Sequence, residues 1–279
     1  MVETRYWDSY DAASPPSRTS ASHVRFVVIS DTHSEEMNDV PDGDVLLHSG
    51  DLTKLGSDAE VRKQIDWLVS LPHPHKVIIA GNHDFALDNS TGFYDRRGVK
   101  IHAKYGYPRS DTTAALRYVR GKKEHGRGTL HYLENEGVEI EVKGTMWKCW
   151  GSPATPVFGH WAWNYERGEE AKCTDIDIFL THGPPHALGG LDKIHNGVSV
   201  GCEELARLAH EGHLRPALWA CGHIHEARGV HEQQWPATEG NGEGGSTLIV
   251  NSAMVEFDLK AADGDHAEDS ELTVAPRRG

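Results

Sequence analysis

A mixed α/β sandwich is the fold this sequence predicts, on three observations. Five short apolar runs have the length and the β-branched or aromatic content of buried strands. Two stretches have the apolar spacing and start signals of amphipathic helices. A third region, 129–150, is punctuated by turn residues as antiparallel strands are. Strands feeding helices, together with an antiparallel stretch, pack as layers of both kinds.

In chain order, residues 1–22 mix Ser, Pro, Ala and charge without period, and are expected to form a poorly ordered tail. VRFVVIS (24–30) and DVLLHS (44–49) are the first two strands. SDAEVRKQIDWLVSL (57–71) opens with a Ser cap and an acidic first turn, then places Val61, Ile65, Leu68 and Val69 on one helical face. KVIIA (76–80) is the third strand. TLHYLENEGVEIEVKGTMWKCW (129–150) reads as a three-strand meander turning at Asn135–Gly137 and Lys143–Gly144. DIFLT (177–181) and PALWAC (216–221) complete the five, with a helix between them in CEELARLAHEG (202–212). There Leu205, Leu208 and Ala209 face inward and Gly212 is the stop. TEGNGEGGS (238–246) follows no strand and opens no helix, so it reads as a mobile surface loop and not as a phosphate loop. One domain is expected over 23–259, followed by a tail over 260–279; no repeat or long linker divides it.

Composition narrows the function classes. Mean hydropathy is −0.55, and no run approaches the ~20 apolar residues of a membrane span. The first residues have no apolar core of a secretory signal, so the cytoplasm is the expected compartment. Cys149, Cys173, Cys202 and Cys221 show no CxxC spacing and read as reduced, structural thiols. The 42 acidic and 28 basic residues give a net charge of −14, a field that repels extended nucleic acid. A small phosphorylated substrate, a nucleotide among the options, is compatible with local cations. No membrane association and no protein partner are indicated.

The 19 histidines are the anomaly. Each of the five buried runs ends in side chains able to hold a metal: Asp31-Thr-His33, Gly50-Asp51, Gly81-Asn82-His83-Asp84, His182, and Gly222-His223-Ile224-His225. In α/β sheets ligands gather outside the carboxyl ends of strands, so these distant loops can converge. Asp, Asn and His form a hard to borderline donor set suited to Mn, Fe or Zn, and the lack of cysteine disfavours a purely structural zinc site. Two divalent ions roughly 3.5 to 4 Å apart need a bridging carboxylate, several imidazoles and an open position. The five motifs supply groups of that kind.

These blocks resemble the five-block signature of the calcineurin-like metallophosphoesterase superfamily, over residues 31–225. SGDLTKLG, DWLVSLP, IAGNHD, WGSP (150–153) and THGPP (181–185) further resemble the small metallophosphoesterase-domain-containing subgroup related to animal brain and fetal-brain forms. The resemblance implies two packed mixed β-sheets flanked by helices. It implies that Asp31, His33, Asp51 and His225 hold one of two divalent metal ions, and that Asp51, Asn82, His182 and His223 hold the other, with Asp51 bridging. His83 is the implied catalytic residue, facing the substrate phosphate. The implied activity is phosphoester hydrolysis by a metal-bridging hydroxide, more in keeping with a phosphodiesterase of small or cyclic nucleotide-type diesters than with a protein phosphatase. The alternatives are a nucleotide-binding regulatory protein of low turnover, and an enzyme of specialised metabolism using the same site on an unusual substrate.

The chain departs from the protein serine/threonine phosphatase branch, which resembles it but carries GDxVDRG and RGNHE. Lys54 stands at the second aspartate of the first pattern and Ala80 at the arginine of the second. What orients His83 is therefore open. Several other residues are weighed without a role. His48 reads as a strand histidine behind the metals, with orientation of a ligand as the alternative. His160, Trp161 and Trp163 read as core, or as an aromatic wall for a nucleobase. His186 lines the pocket or is an ordinary loop residue, and Asp88 and Asp192 read as surface or turn residues.

Overall fold

The computed structural model describes residues 5–7, 14, 16–17, 22–157, 161–166, 176–236 and 245–254. In chain order its elements are β1 (Phe26–Ile29), β2 (Val45–Ser49), α1 (Asp58–Ser70), β3 (His75–Ile79), α2 (Val99–Lys104), α3 (Thr112–Arg120), β4 (Glu124–His125), β5 (Gly128–Tyr132), β6 (Glu136–Val142), β7 (Thr145–Ser152), β8 (Thr155–Pro156), β9 (Asn164–Tyr165), β10 (Ile178–Thr181), α4 (Glu203–His210), β11 (Leu218–Cys221), β12 (Gly229–Gln234) and β13 (Ser246–Asn251). They build a five-stranded sheet, β1-β2-β3-β5-β4, a six-stranded sheet, β12-β13-β11-β10-β7-β6, and a small β8-β9 ribbon. The central strands of both main sheets are parallel; antiparallel β6 and β12 form the two edges of the second sheet, and antiparallel β4 and parallel β1 those of the first.

Alternation along the strands decides the layering. Val45, Leu47, Val77 and Ile79 face the second sheet and meet Ile140, Ile178, Leu180 and Ala220 in a common core. The intervening Leu46 and Ile78 turn outward onto Val61, Ile65 and Leu68 of α1. Beyond the second sheet, Phe179, Trp219 and Ile249 pack on Leu205 and Ala209 of α4. The order is helices, sheet, sheet, helix. Strands covered on both faces explain why their sequences are unbroken apolar runs.

All five expected strands are present, and both expected helices form. Ser57 caps α1 in a reciprocal box: its hydroxyl accepts from the Glu60 N–H and the Glu60 carboxylate accepts from the Ser57 N–H. The buried face of α1 is Val61, Gln64, Ile65, Trp67 and Leu68, while Val69 is only partly buried. In α4 the buried set is Leu205, Ala206 and Ala209, and Leu208 is half-exposed.

The meander expected over 129–150 is replaced by a crossover. β5 pairs in parallel with β3 in the first sheet, and the chain then passes through Leu133 to Asn135 into the second sheet, where β6 and β7 form a hairpin. The hairpin turns at Lys143 and Gly144, both at positive φ. The physical reason is that β5 buries Leu130 and Tyr132 in the core on the helix side of the first sheet, whereas β6 buries Ile140 and Val142 in the inter-sheet core, which local turn signals cannot show. TEGNGEGGS follows β12 and leads into β13, so the expectation that it follows no strand is corrected; residues 237–244 themselves lie outside the described residues. The expected tail 260–279 and most of 1–22 also lie outside them. Asp88 and Asp192 are buried, contrary to a surface reading. Asp88 accepts from the Thr91 and Trp163 N–H groups, and Asp192 from those of Ala187 and Gly201. No helix among the described residues is long and apolar enough to cross a membrane.

Candidate metal centre

The ligand-type residues follow the carboxyl ends of β1, β2, β3, β10 and β11, and the loops brace one another there. The Asp31 N–H donates to Gly50 O at 2.9 Å, His33 N–H to Asp51 O at 3.1 Å, and Gly222 N–H to His182 O at 2.9 Å. Asp31, His33, Asp51 and His223 all adopt positive φ, between 43° and 69°. Side-chain-bearing residues seldom pay that strain outside functional sites. Gly81 and Gly222 answer a need for space: a Cβ on Gly81 would meet the Asp51 carboxylate, and one on Gly222 the Asp31 carboxylate and the Ser30 hydroxyl.

Two groups of donor atoms result. Asp31, His33 and His225 form one, and Asp51, His182 and His223 the other, with ligand atoms in each group within 4.8 Å of one another. Asn82 joins the second, its Oδ1 standing 2.8 Å from His182 Nε2. Asp51 Oδ2 lies 3.4 Å from His182 Nε2 and 3.9 Å from His33 Nε2, between the two groups. His223 and His225 separate into different groups, and Ile224 between them is buried. His33 Nδ1 donates to Thr53 O at 3.2 Å and His182 Nδ1 to Ser49 O at 2.8 Å, which turns Nε2 of each ring towards the centre.

The electrostatics call for positive charge. Asp31 and Asp51 are buried, and their ion-pair partners among the described residues are histidines: His225 for Asp31, His33 and His182 for Asp51. Burial alone would raise the Asp51 carboxyl, but the charges of His182, His83 and His33 and the hydrogen bond from His182 together outweigh it and hold Asp51 well below the usual carboxylate range. For Asp31, too, burial opposes ionisation and is overcome, chiefly by the hydrogen bond from His225. Burial pushes His33 down to about 4 and His223 to about 3, so both rings are neutral donors near pH 7. Against burial, the charge of Asp51 draws His182 up to about 9. Two buried carboxylates among imidazoles that are neutral at His33 and His223 fit a pair of divalent cations, since a buried charge needs a counter-charge or a metal.

His83 stands beside this centre and is partly exposed. Its N–H donates to Asp51 Oδ1 at 2.8 Å and its Nδ1 to Lys54 O at 2.7 Å. Trp161 stacks on the ring, with centroids 4.5 Å apart and planes at 28°, and His33 meets it edge-on at 4.9 Å. Lys54 thus reaches His83 through its backbone, which any residue could supply, so sequence carried no signal for it. Its amine pairs with Glu35 at 3.2 Å.

Asp84, one of the ligand-type residues after the third strand, is in neither donor group, and its role as a hydrogen-bond acceptor for the neighbouring loops was not anticipated. It is fully buried and accepts from the N–H groups of Leu52, Thr53 and Gly81 and from the Thr53 hydroxyl. Burial and the neighbouring Asp51 push its carboxyl up to about 7, against the pull of those donors. His48 is buried with Nε2 3.1 Å from the Thr32 hydroxyl and Nδ1 accepting from the Gly50 N–H at 3.3 Å. It ties together two loops that bear ligand-type residues and touches no ligand side chain in these bonds. Trp163 is in the core, His160 lies outside the described residues, and His186 is half-buried and in neither donor group.

The chain is similar to known proteins over most of its length. The calcineurin-like phosphoesterase profile matches residues 24–227. Metallophosphoesterase domain-containing protein 1 of Homo sapiens is 35% identical over 257 residues, covering 88% of this chain and 69% of that protein. A UPF0046 protein of Caenorhabditis elegans is 30% identical over 245 residues, 86% of this chain and 78% of the relative. The probable rhamnogalacturonate lyase C of Emericella nidulans is 37% identical over 223 residues; the match covers 78% of this chain and only 18% of that longer protein. With the fold, the convergent donor groups and these matches in agreement, the chain belongs to the calcineurin-like phosphoesterase family.

Proposed function

We propose that the protein is a dinuclear-metal phosphoester hydrolase acting on a small phosphodiester, cyclic nucleotides being the leading class. The observation that carries the reading is the Asp51 carboxylate standing between the two donor groups. In this reading Asp31, His33, Asp51 and His225 hold the first cation, and Asp51, Asn82, His182 and His223 the second. Two bound cations of manganese, iron or zinc would acidify a water between them towards ~7 and neutralise phosphoryl oxygens. Thr53 O and Ser49 O keep His33 and His182 in the tautomer that presents Nε2. The Lys54 carbonyl accepts from Nδ1, which leaves Nε2 for the substrate; in the imidazolium, with a proton on each nitrogen, Nε2–H would hydrogen-bond a non-bridging oxygen or pass its proton to the leaving alkoxide.

Charge favours the diester. The Ala80 side chain supplies no guanidinium where the protein phosphatase branch has one, and the Lys54 amine is engaged by Glu35. A diester, with one negative charge, asks less of such a site than a monoester with up to two. The net charge of −14 disfavours extended nucleic acid, and the reading places the enzyme in the cytoplasm.

The test is hydrolysis of bis(p-nitrophenyl) phosphate and p-nitrophenyl phosphate by apo-protein reconstituted with Mn²⁺, beside Asp51→Asn. Metal-dependent diester cleavage lost in the variant is expected. Faster cleavage of the monoester would overturn the diester assignment, and no turnover of either with two ions bound would overturn the hydrolase reading.

A further inference from the structure

We infer that Trp161 is a positioning residue for His83, setting the plane of the imidazole while the Lys54 carbonyl sets its tautomer. The inference rests on the phosphoesterase reading for its catalytic consequence, but its geometry stands on its own. One hydrogen bond at Nδ1 fixes where that nitrogen points and leaves the ring able to rock about the bond axis. A flat partner on the ring face removes that freedom. The indole of Trp161 lies 4.5 Å from His83 at 28°, and His33 closes on the ring edge-on. Among residues given no role by the sequence, Trp161 alone is stacked on His83 in the described structure.

The segment that delivers the indole is built to hold it. Asn164 Oδ1 accepts from the Trp161 N–H at 3.2 Å, and Asn164 Nδ2 donates to Thr155 Oγ1 at 3.0 Å. Two residues on, Trp163 sits at φ 58 with its N–H given to the buried Asp88 at 2.9 Å. A left-handed tryptophan is strained, and here a buried carboxylate and a core indole hold it. Phe85 flanks Trp161 at 5.8 Å. At Trp161, the aromatic wall weighed for a nucleobase as the alternative to core packing is therefore turned onto His83. Positional precision at this ring is worth having: a misplacement of about 1 Å at a reacting centre can cost 10²-fold in rate.

The experiment compares the Mn²⁺-reconstituted full chain with Trp161→Phe and Trp161→Ala, reading kcat and KM on bis(p-nitrophenyl) phosphate, metal content, and histidine ¹⁵N NMR. In Trp161→Ala, kcat is expected to fall about 10- to 100-fold, with KM within a factor of two and two ions retained. Trp161→Phe, which restores a flat face, is expected to recover most of the rate. The His83 ring signals, sharp in wild type with Nδ1 protonated, are expected to broaden in Trp161→Ala as the ring rocks about its bond to the Lys54 carbonyl. If His83 keeps one sharp Nδ1-protonated form in Trp161→Ala, or if kcat is unchanged while KM rises, positioning is refuted. If wild type cleaves neither ester but the NMR change occurs, positioning stands and the phosphoesterase reading falls.

Discussion

The Thr53 hydroxyl donates to Asp84 Oδ1 across 2.6 Å, while the Thr53 carbonyl accepts from His33 Nδ1 at 3.2 Å. A carboxylate outside both donor groups thereby steers a ring inside one. Asp84 takes four donors in all, from Leu52, Gly81 and both groups of Thr53. Asparagine has the same shape but one acceptor oxygen, so Asp84→Asn would set an amide NH₂ against N–H donors. Breaking a buried network of this kind costs about 3 kcal/mol, roughly 6 to 12 °C in Tm for a chain of this size. Mn²⁺ affinity should fall about 10-fold or more, as it does when a ligand loses its orienting partner. Calorimetry and a metal titration check both; unchanged values would show that Thr53 needs no such anchor.

Gly222 leaves room for Asp31, since a Cβ there would collide with its carboxylate and with Ser30 Oγ. Both atoms are buried and cannot move aside cheaply. Gly222→Ala should therefore disturb the group of Asp31, His33 and His225 and bind fewer than two ions. Gly229→Ala is the control, because the added Cβ would meet Leu191 at 3.5 Å, an ordinary contact. Elemental analysis after reconstitution should show the loss in the first variant and two ions in the second.

The legible part of this molecule was its inter-sheet core and the loops that leave it. Val45, Leu47, Ile178 and Ala220 are buried on strands covered on both faces, so their runs were unbroken, and each ended where polar ligand types began. The site was readable because Asp, Asn or His followed all five runs, a recurrence that single turns do not require. What stayed hidden was contact set by backbone or by distant packing. The Lys54 carbonyl that holds His83 has no side-chain signature. Asp88 and Asp192 look like turn residues until the N–H groups of Trp163 and Gly201 arrive from elsewhere. β12 reads Gly-Val-His-Glu-Gln-Gln, an edge strand without a buried apolar run, and β5 could be placed only by knowing which sheet it joins.

Removing the cations should destabilise the fold as well as stop turnover. Asp31 and Asp51 are buried with histidines as their ion-pair partners among the described residues, so without cations the two carboxylates rely on His182 and His225, both shifted upward, for counter-charge in a poorly solvating interior. Ligand linkage gives about 4 kcal/mol for each site held at 1,000 times its Kd. Chelator-treated protein should melt well below the Mn²⁺-reconstituted form, and Asp51→Asn should blunt the difference. Equal melting temperatures with and without Mn²⁺ would show that the two groups do not bind it in the folded state.

Lys76 supplies a pH test far from the metal centre. It lies at the start of β3, fully buried, with its amine donating to His73 O at 2.7 Å. Burial, reinforced by the charge of Arg127, lowers its pKa from 10.5 to about 8. The folded state therefore releases this proton before the unfolded chain does. Between pH 8 and 10.5 the unfolded state binds more protons, and stability attributable to Lys76 rises with pH. Below pH 8 both states are protonated and the penalty of burying the charge is present in full; above 10.5 it is gone. Met at this position has no such dependence. Urea unfolding of wild type and Lys76→Met should accordingly show the wild type gaining on the variant from pH 8 to 10.5, by up to about 3 kcal/mol at 1.36 kcal/mol per pKa unit. A constant difference across that range would mean the amine keeps its ordinary pKa through contact with water.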